Sequence, residues 1–101
     1  MVYSVQQIKY EMLAYIKEFG GDFGDYYVGI AADPKAELFK RHKVSQKKDP
    51  WLYKQALTFH AARTVQRYFI ERLGTDGEPV MRGDEDTDCV YIYKKSERTR
   101  P

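Results

Sequence analysis

Apolar residues recur at steps of three and four between residues 4 and 19, where Val5, Ile8, Met12, Ile16 and Phe19 fall on one stripe of a helix. Ser4 is placed to accept from the amide of Gln7, whose side chain can reach back in a capping box, and Gly20-Gly21 supplies a left-handed stop. The period then switches to two. Tyr26, Val28 and Ile30 alternate with Tyr27, Gly29 and Ala31, predicting a strand with one greasy face and one nearly bare face. Asp33-Pro34 predicts a second, short helix running to about His42, with Asp33 as N-cap and Pro34 at a position where its missing N–H costs nothing. The mixed aromatic and aliphatic run 51–57 predicts a strand. From the N-cap Thr58, the residues Ala62, Val65, Phe69 and Leu73 step down a four-turn helix to Gly74. Residues 89–95, rich in Val, Ile and Tyr, predict the last strand.

This order predicts one α+β domain over residues 1–101: a small three-stranded sheet (26–31, 51–57 and 89–95) packed by three helices, with the third helix as its central pillar. An N-terminal helix (1–20), an acidic loop (75–88) and a frayed polar tail (96–101) complete the map. A chain of 101 residues has no room for a second folded unit, and its nine Tyr, five Phe and one Trp supply enough material for one core. The longest apolar run, 12–16, is far short of the roughly 20 residues of a membrane span. Lys9, Glu11, Lys17 and Glu18 interrupt the N-terminal stripe, which argues against a signal peptide. Cys89 is the sole cysteine, so no internal disulfide or Cys-rich zinc site is available, and a reducing, cytoplasmic setting fits best.

The net charge of +2 conceals a segregation. Between Lys35 and Lys54 seven basic residues (Lys35, Lys40, Arg41, Lys43, Lys47, Lys48, Lys54) face Glu37 and Asp49, a local net of +5. Between Asp76 and Asp88 six acids face Arg82 alone, a local net of −5, which repels a phosphate backbone unless a cation sits there. Asp84, Asp86 and Asp88 have the spacing that opens a calcium loop. Cys89 stands where that loop needs glycine and Lys95 where it needs a bidentate acid, so the segment reads as a solvated acidic loop.

Residues 26–34 (YYVGIAADP), followed by Leu38 and His42, resemble the GIY-YIG nuclease superfamily. There a Tyr-x-Gly strand turns into a helix bearing an arginine eight residues beyond the glycine, commonly followed by Leu and, about a turn later, His. Tyr27 and Gly29 match the strand, Leu38 matches the Leu, and His42 lies close to the His. The resemblance continues through the strand 51–57 and a helix over 62–70 with Phe69-Ile70 as the family's aromatic–isoleucine pair, covering residues 26–74. It implies a phosphodiesterase floor: a strand tyrosine beside a glycine, an arginine steadying phosphate charge, and a glutamate holding one divalent ion, magnesium or manganese, that activates water.

The chain departs from that pattern at the charged positions. Glu37 stands at the arginine position, Gln66 at the glutamate position, and the strand carrying the family's other tyrosine is missing before Tyr26. The last strand, with Tyr91 and Tyr93, could supply that tyrosine by lying beside residues 26–31, and Arg41 could lean toward the floor. Each residue also has a structural reading: Glu37 and Arg41 as a helical i,i+4 pair, His42 as a helix C-terminal cap, Gln66 as a side-chain hydrogen bond at the edge of the apolar stripe, and His60 without a role.

Three functions follow. The first is a catalytically degenerate GIY-YIG-like module binding nucleic acid through Lys40, Arg41, Lys43, Lys47, Lys48 and Arg63, with Trp51 and Tyr53 near enough to stack a base. The second is a metal-dependent endonuclease with a rearranged site using Tyr27, Arg41, His42 and the acidic loop. The third is an adaptor or inhibitor whose oppositely charged segments dock a protein partner. No membrane partner, and no cofactor outside the metal of the second reading, is expected.

Overall fold

The capping box forms as its spacing predicts. In the computed structural model, which describes all 101 residues, Gln7 N donates to Ser4 Oγ at 3.2 Å and Ser4 N donates to Gln7 Oε1 at 2.8 Å. Ahead of this box lies a short strand, β1 (Val2–Tyr3), and after it helix α1 (Val5–Phe19), which buries Ile8, Met12 and Ile16 and leaves Phe19 41% exposed. Strand β2 (Tyr26–Ala31) leads to α2 (Pro34–Ala36), capped by Asp33 and extended by a wider π-type turn over Glu37–Arg41. Strand β3 (Trp51–Ala56) and helix α3 (Phe59–Arg67) follow; Thr58 caps α3, and a π-type segment Tyr68–Leu73 carries it to Gly74, where φ is +86°. Strand β4 (Cys89–Lys94) closes the domain.

The sheet has four strands, not three, in the order β1-β3-β4-β2. The added strand pairs Val2 and Tyr3 in parallel with Gln55 and Ala56. Two residues are too few to display an alternation, so no local pattern marks them. The strand latest in sequence is central: β4 runs antiparallel to β3 on one side and to β2 on the other.

The sheet is covered on both faces. Tyr26, Val28, Ile30, Ala56, Val90 and Ile92 pack against Ile8, Met12 and Ile16 of α1 and Ala62, Val65 and Phe69 of α3. Helix α3 touches β2, β3, β4 and α1, the pillar role its length predicts. The opposite face carries Tyr27, Ala31, Tyr91 and Tyr93 beneath Leu38 and Val44, with Phe39, Trp51 and Tyr53 partly buried at its margin. Every residue of β2 is therefore buried, and its nearly bare face is covered by aromatic rings from β4. The outer edge of β2 is closed by the start of the acidic loop: Val28 N donates to Asp76 O at 3.0 Å and Asp76 N to Tyr26 O at 2.8 Å. This protects an edge that would otherwise present unpaired amides.

The C-terminal residues are docked rather than frayed. Thr99 is buried, Arg98 pairs with the buried carboxylate of Asp49, and the Arg100 amide donates to the His42 carbonyl at 2.7 Å. The polar composition of 96–101 reads as a tail only while its distant partners, His42 and Asp49, more than forty residues away in sequence, are out of view. No helix is long and apolar enough to cross a membrane.

Candidate functional site

Register builds the floor of the site. Antiparallel pairing sets Tyr93 opposite Tyr27 and Tyr91 opposite Gly29, so the final strand lies beside β2 and brings its two tyrosines to the face that carries Tyr27. The Tyr27 ring stacks on Tyr93 with centroids 5.4 Å apart and 19° between planes, and on Tyr91 at 6.3 Å and 18°. Tyr91 leans directly over Gly29, where a β-carbon would lie 2.3 Å from its Cζ and Oη.

His42, on the segment that covers this cluster, packs its ring against all three tyrosines and is fully buried. Its Nδ1 lies 2.7 Å from the Arg100 carbonyl, which can only accept, so Nδ1 carries the proton. Nε2 then accepts from the Tyr91 hydroxyl at 2.8 Å, and the Tyr93 hydroxyl reaches the same Arg100 carbonyl at 3.4 Å. Burial lowers the His42 pKa; the Arg100 carbonyl opposes that shift and the nearby Arg41 charge adds to it. Burial likewise raises the pKa values of Tyr27, Tyr91 and Tyr93. The arrangement is a neutral, hydrogen-bonded network with both imidazole nitrogens occupied. His42 is thus a core histidine rather than a group facing solvent, and it also caps the Glu37–Arg41 turn, its backbone amide donating to Glu37 O at 2.9 Å.

Above the floor is a small cavity of about 150 Å³ whose lining includes Tyr27, Gly29, Arg41, Glu78, Val80 and Tyr91. Arg41 does lean in, and two carboxylates hold it: Nη1 is 3.2 Å from Glu37 Oε2 and Nη2 is 3.5 Å from Glu78 Oε2. The Glu37–Arg41 pair expected from i,i+4 spacing is present, on side chains 34% and 52% exposed, a setting in which such pairs contribute about 0.3–0.5 kcal/mol. Glu78 is the acid that reaches the site. It lies within an undifferentiated acidic stretch, and no local signal separates it from its neighbours.

Gln66 is fully buried, and its amide is occupied on both sides. Nε2 donates to the carbonyls of Val28 at 3.2 Å and Glu78 at 3.0 Å, while Oε1 accepts the Val80 amide at 3.3 Å. It pins residues 78–80 as a strap along β2, between α3 and the tyrosine floor. A divalent ion of the kind the resemblance implies does not fit here. The one oxygen Gln66 could offer faces an amide, Glu78 is paired with Arg41, and no three His, Cys, Asp or Glu side chains converge anywhere in the fold. Of the other acids, Asp84 accepts from Thr87 Oγ1 at 3.1 Å, Asp88 accepts from Gln55 Nε2 at 2.9 Å and Asp76 pairs with Lys95 at 3.1 Å, whereas Glu85 and Asp86 are exposed without a partner.

The basic residues divide into two groups. Lys40, Lys43, Lys47 and Lys48 are exposed on the segment covering the second sheet face, and none of them makes an ion pair. Arg63 does not join them. It stands on α3, which packs against the first face, and borders a cavity of about 190 Å³ with Arg67 and Glu71 beneath Pro79 and Met81. The expected grouping fails because helical spacing gives a residue's angle on its helix but not the face of the sheet that helix covers.

The chain is an α+β domain with a four-stranded mixed sheet and three helices, carrying a tyrosine–histidine floor closed by an arginine between two glutamates. Comparison with known protein families, with curated proteins and with solved structures finds no match.

Proposed function

We propose that the chain is a catalytically degenerate, GIY-YIG-like module that binds nucleic acid through the lysine flank of its second sheet face. The observation that carries this reading is a contrast in pairing. Arg41, inside the site, is neutralised by Glu37 and Glu78, whereas Lys40, Lys43, Lys47 and Lys48, outside it, are exposed and uncompensated. The two acids of the flank are both neutralised, Glu37 by Arg41 and Asp49 by Arg98, so the lysine field is not locally cancelled. The family resemblance is supported by the pairing of β4 with β2, through which the C-terminal strand contributes the tyrosine row missing before Tyr26. Loss of the nuclease chemistry is supported by the occupied amide of Gln66 and by Glu37 at the arginine position. A metal-dependent phosphodiesterase is the less supported reading, since it needs a carboxylate where Gln66 holds the strap. The cytoplasmic setting proposed for the module rests on its single cysteine, Cys89.

Fluorescence anisotropy with labelled DNA and RNA at two salt concentrations tests the reading. Binding should weaken steeply with salt. Charge reversal at Lys43, Lys47 and Lys48 should lower affinity at least tenfold, whereas Arg41→Gln should change it less than twofold. Affinity unmoved by the triple reversal would refute the proposal.

A further inference from the structure

Resting on that nucleic-acid reading, we infer that the module prefers single strands, whose bases stack on the aromatic margin formed by Trp51 and Tyr53 while their phosphates lie along Lys40, Lys43, Lys47 and Lys48. The second sheet face carries two aromatic rows across its strands, Tyr27–Tyr93–Trp51 and Gly29–Tyr91–Tyr53. Leu38 and His42 cover the inner part of these rows. At the β3 end Trp51 and Tyr53 are only partly buried. Trp51 and Tyr53 therefore present ring surface at the open margin of the sheet, with centroids 6.3 Å apart and planes within 11° of parallel. Two parallel rings one strand repeat apart offer successive surfaces to successive bases.

The rings are held in place, so stacking does not have to order them first. Trp51 Nε1 donates to the Gln46 carbonyl at 2.9 Å, Phe39 packs edge-on against the Trp51 ring at 5.0 Å, and the Tyr15 hydroxyl bonds both the amide and the carbonyl of Trp51 at 2.8 Å. These anchors also fix where the lysines stand. Lys47 and Lys48 follow Gln46 in a turn closed by Ser45 N donating to Asp49 at 2.7 Å, and Lys40 follows Phe39. Lys43 projects outward between buried His42 and Val44, with its backbone at φ +60°. On the same segment, an open concavity of about 340 Å³ is bordered by Asp33, Lys35, Ala36, Phe39 and Lys40.

A duplex cannot use this surface in the same way. Its bases are stacked on each other and show only edges, so it can engage the lysines but not the rings. The preference for single strands separates this inference from the electrostatic reading beneath it.

Trp51 is the only tryptophan, so its emission reports on this surface alone. The experiment titrates the full chain with a single-stranded oligonucleotide and with the same sequence as a duplex, reading anisotropy and Trp51 fluorescence together. Quenching by the single strand only, with tighter single-strand binding, is expected. Tyr53→Thr, which retains strand propensity, should lower single-strand affinity about tenfold and leave duplex affinity unchanged. Trp51→Phe, which retains a smaller ring, should have a lesser effect in the same direction, and thermal melts confirm that both variants fold. Equal binding of the two forms, with Trp51 emission unmoved and Tyr53→Thr silent, overturns the stacking inference and leaves the lysine flank standing. Absence of binding to either form overturns both.

Discussion

Tyr91 lies across Gly29 so closely that the space a β-carbon would take at position 29 is already filled by the phenol: Cζ and Oη would each lie 2.3 Å from it. The same phenol donates to His42, so the glycine, the ring and the imidazole form one packed column.

Gly29→Ala should therefore destabilise the fold. The methyl cannot be accommodated by a flexible chain end, because the Tyr91 hydroxyl is held at 2.8 Å by His42. Overpacking of this kind costs about 1–3 kcal/mol. A lower urea midpoint is expected, and Gly29→Ala combined with Tyr91→Ala should be less destabilised than the two single changes added together.

Stability should fall in mild acid through His42. Burial lowers its folded pKa, whereas in the unfolded chain it protonates near about 6.5. Below about pH 6.5 the unfolded state then binds more protons than the native one. The contribution is complete above that pH and is lost as pH falls toward the folded value, with a slope of at most about 1.4 kcal/mol per pH unit for one proton. Urea melts across this range should show the slope in the wild type and a flatter profile in His42→Gln. Deleting residues 96–101 removes the Arg100 carbonyl that fixes the Nδ1 proton and leaves buried Asp49 without Arg98, so it should lower stability at neutral pH.

Placing at position 66 the glutamate that the proposed GIY-YIG likeness would call for should not create a metal site. In Gln66→Glu, carboxylate oxygens would face the carbonyls of Val28 and Glu78, which now receive the amide protons. Leaving buried acceptors unpaired costs about 1–3 kcal/mol, more where a charge is involved. The variant should melt lower than the wild type, and magnesium or manganese should not raise its melting temperature. A metal-dependent rise would show that the strap yields and that a metal can be held there.

Much of this molecule was legible from its residues because the determinants are local. Ser4 with Gln7, Asp33-Pro34, Thr58 and Gly74 satisfy backbone groups or dihedral demands within a few residues, and all four act where the sequence places them. The alternation in 26–31 likewise marks the side of β2 that meets α1 and α3. The lysine flank is equally visible, because charge density along the chain survives folding when the side chains stay in water.

The tertiary structure alone decided what covers what. Two residues at Val2–Tyr3 join the sheet only because β3 offers a partner edge, and the polar segment 96–101 docks only because His42 and Asp49 wait for it. Gln66 is a strap anchor rather than a metal ligand because the chain returns at 78–80 to meet it, and Arg63 leaves the lysine group because α3 lies on the other face. Sequence periodicity specifies the direction a side chain takes from its own element. Its partner is set by the joint packing of segments far apart in the chain, a global balance of burial and hydrogen bonding that no local window contains.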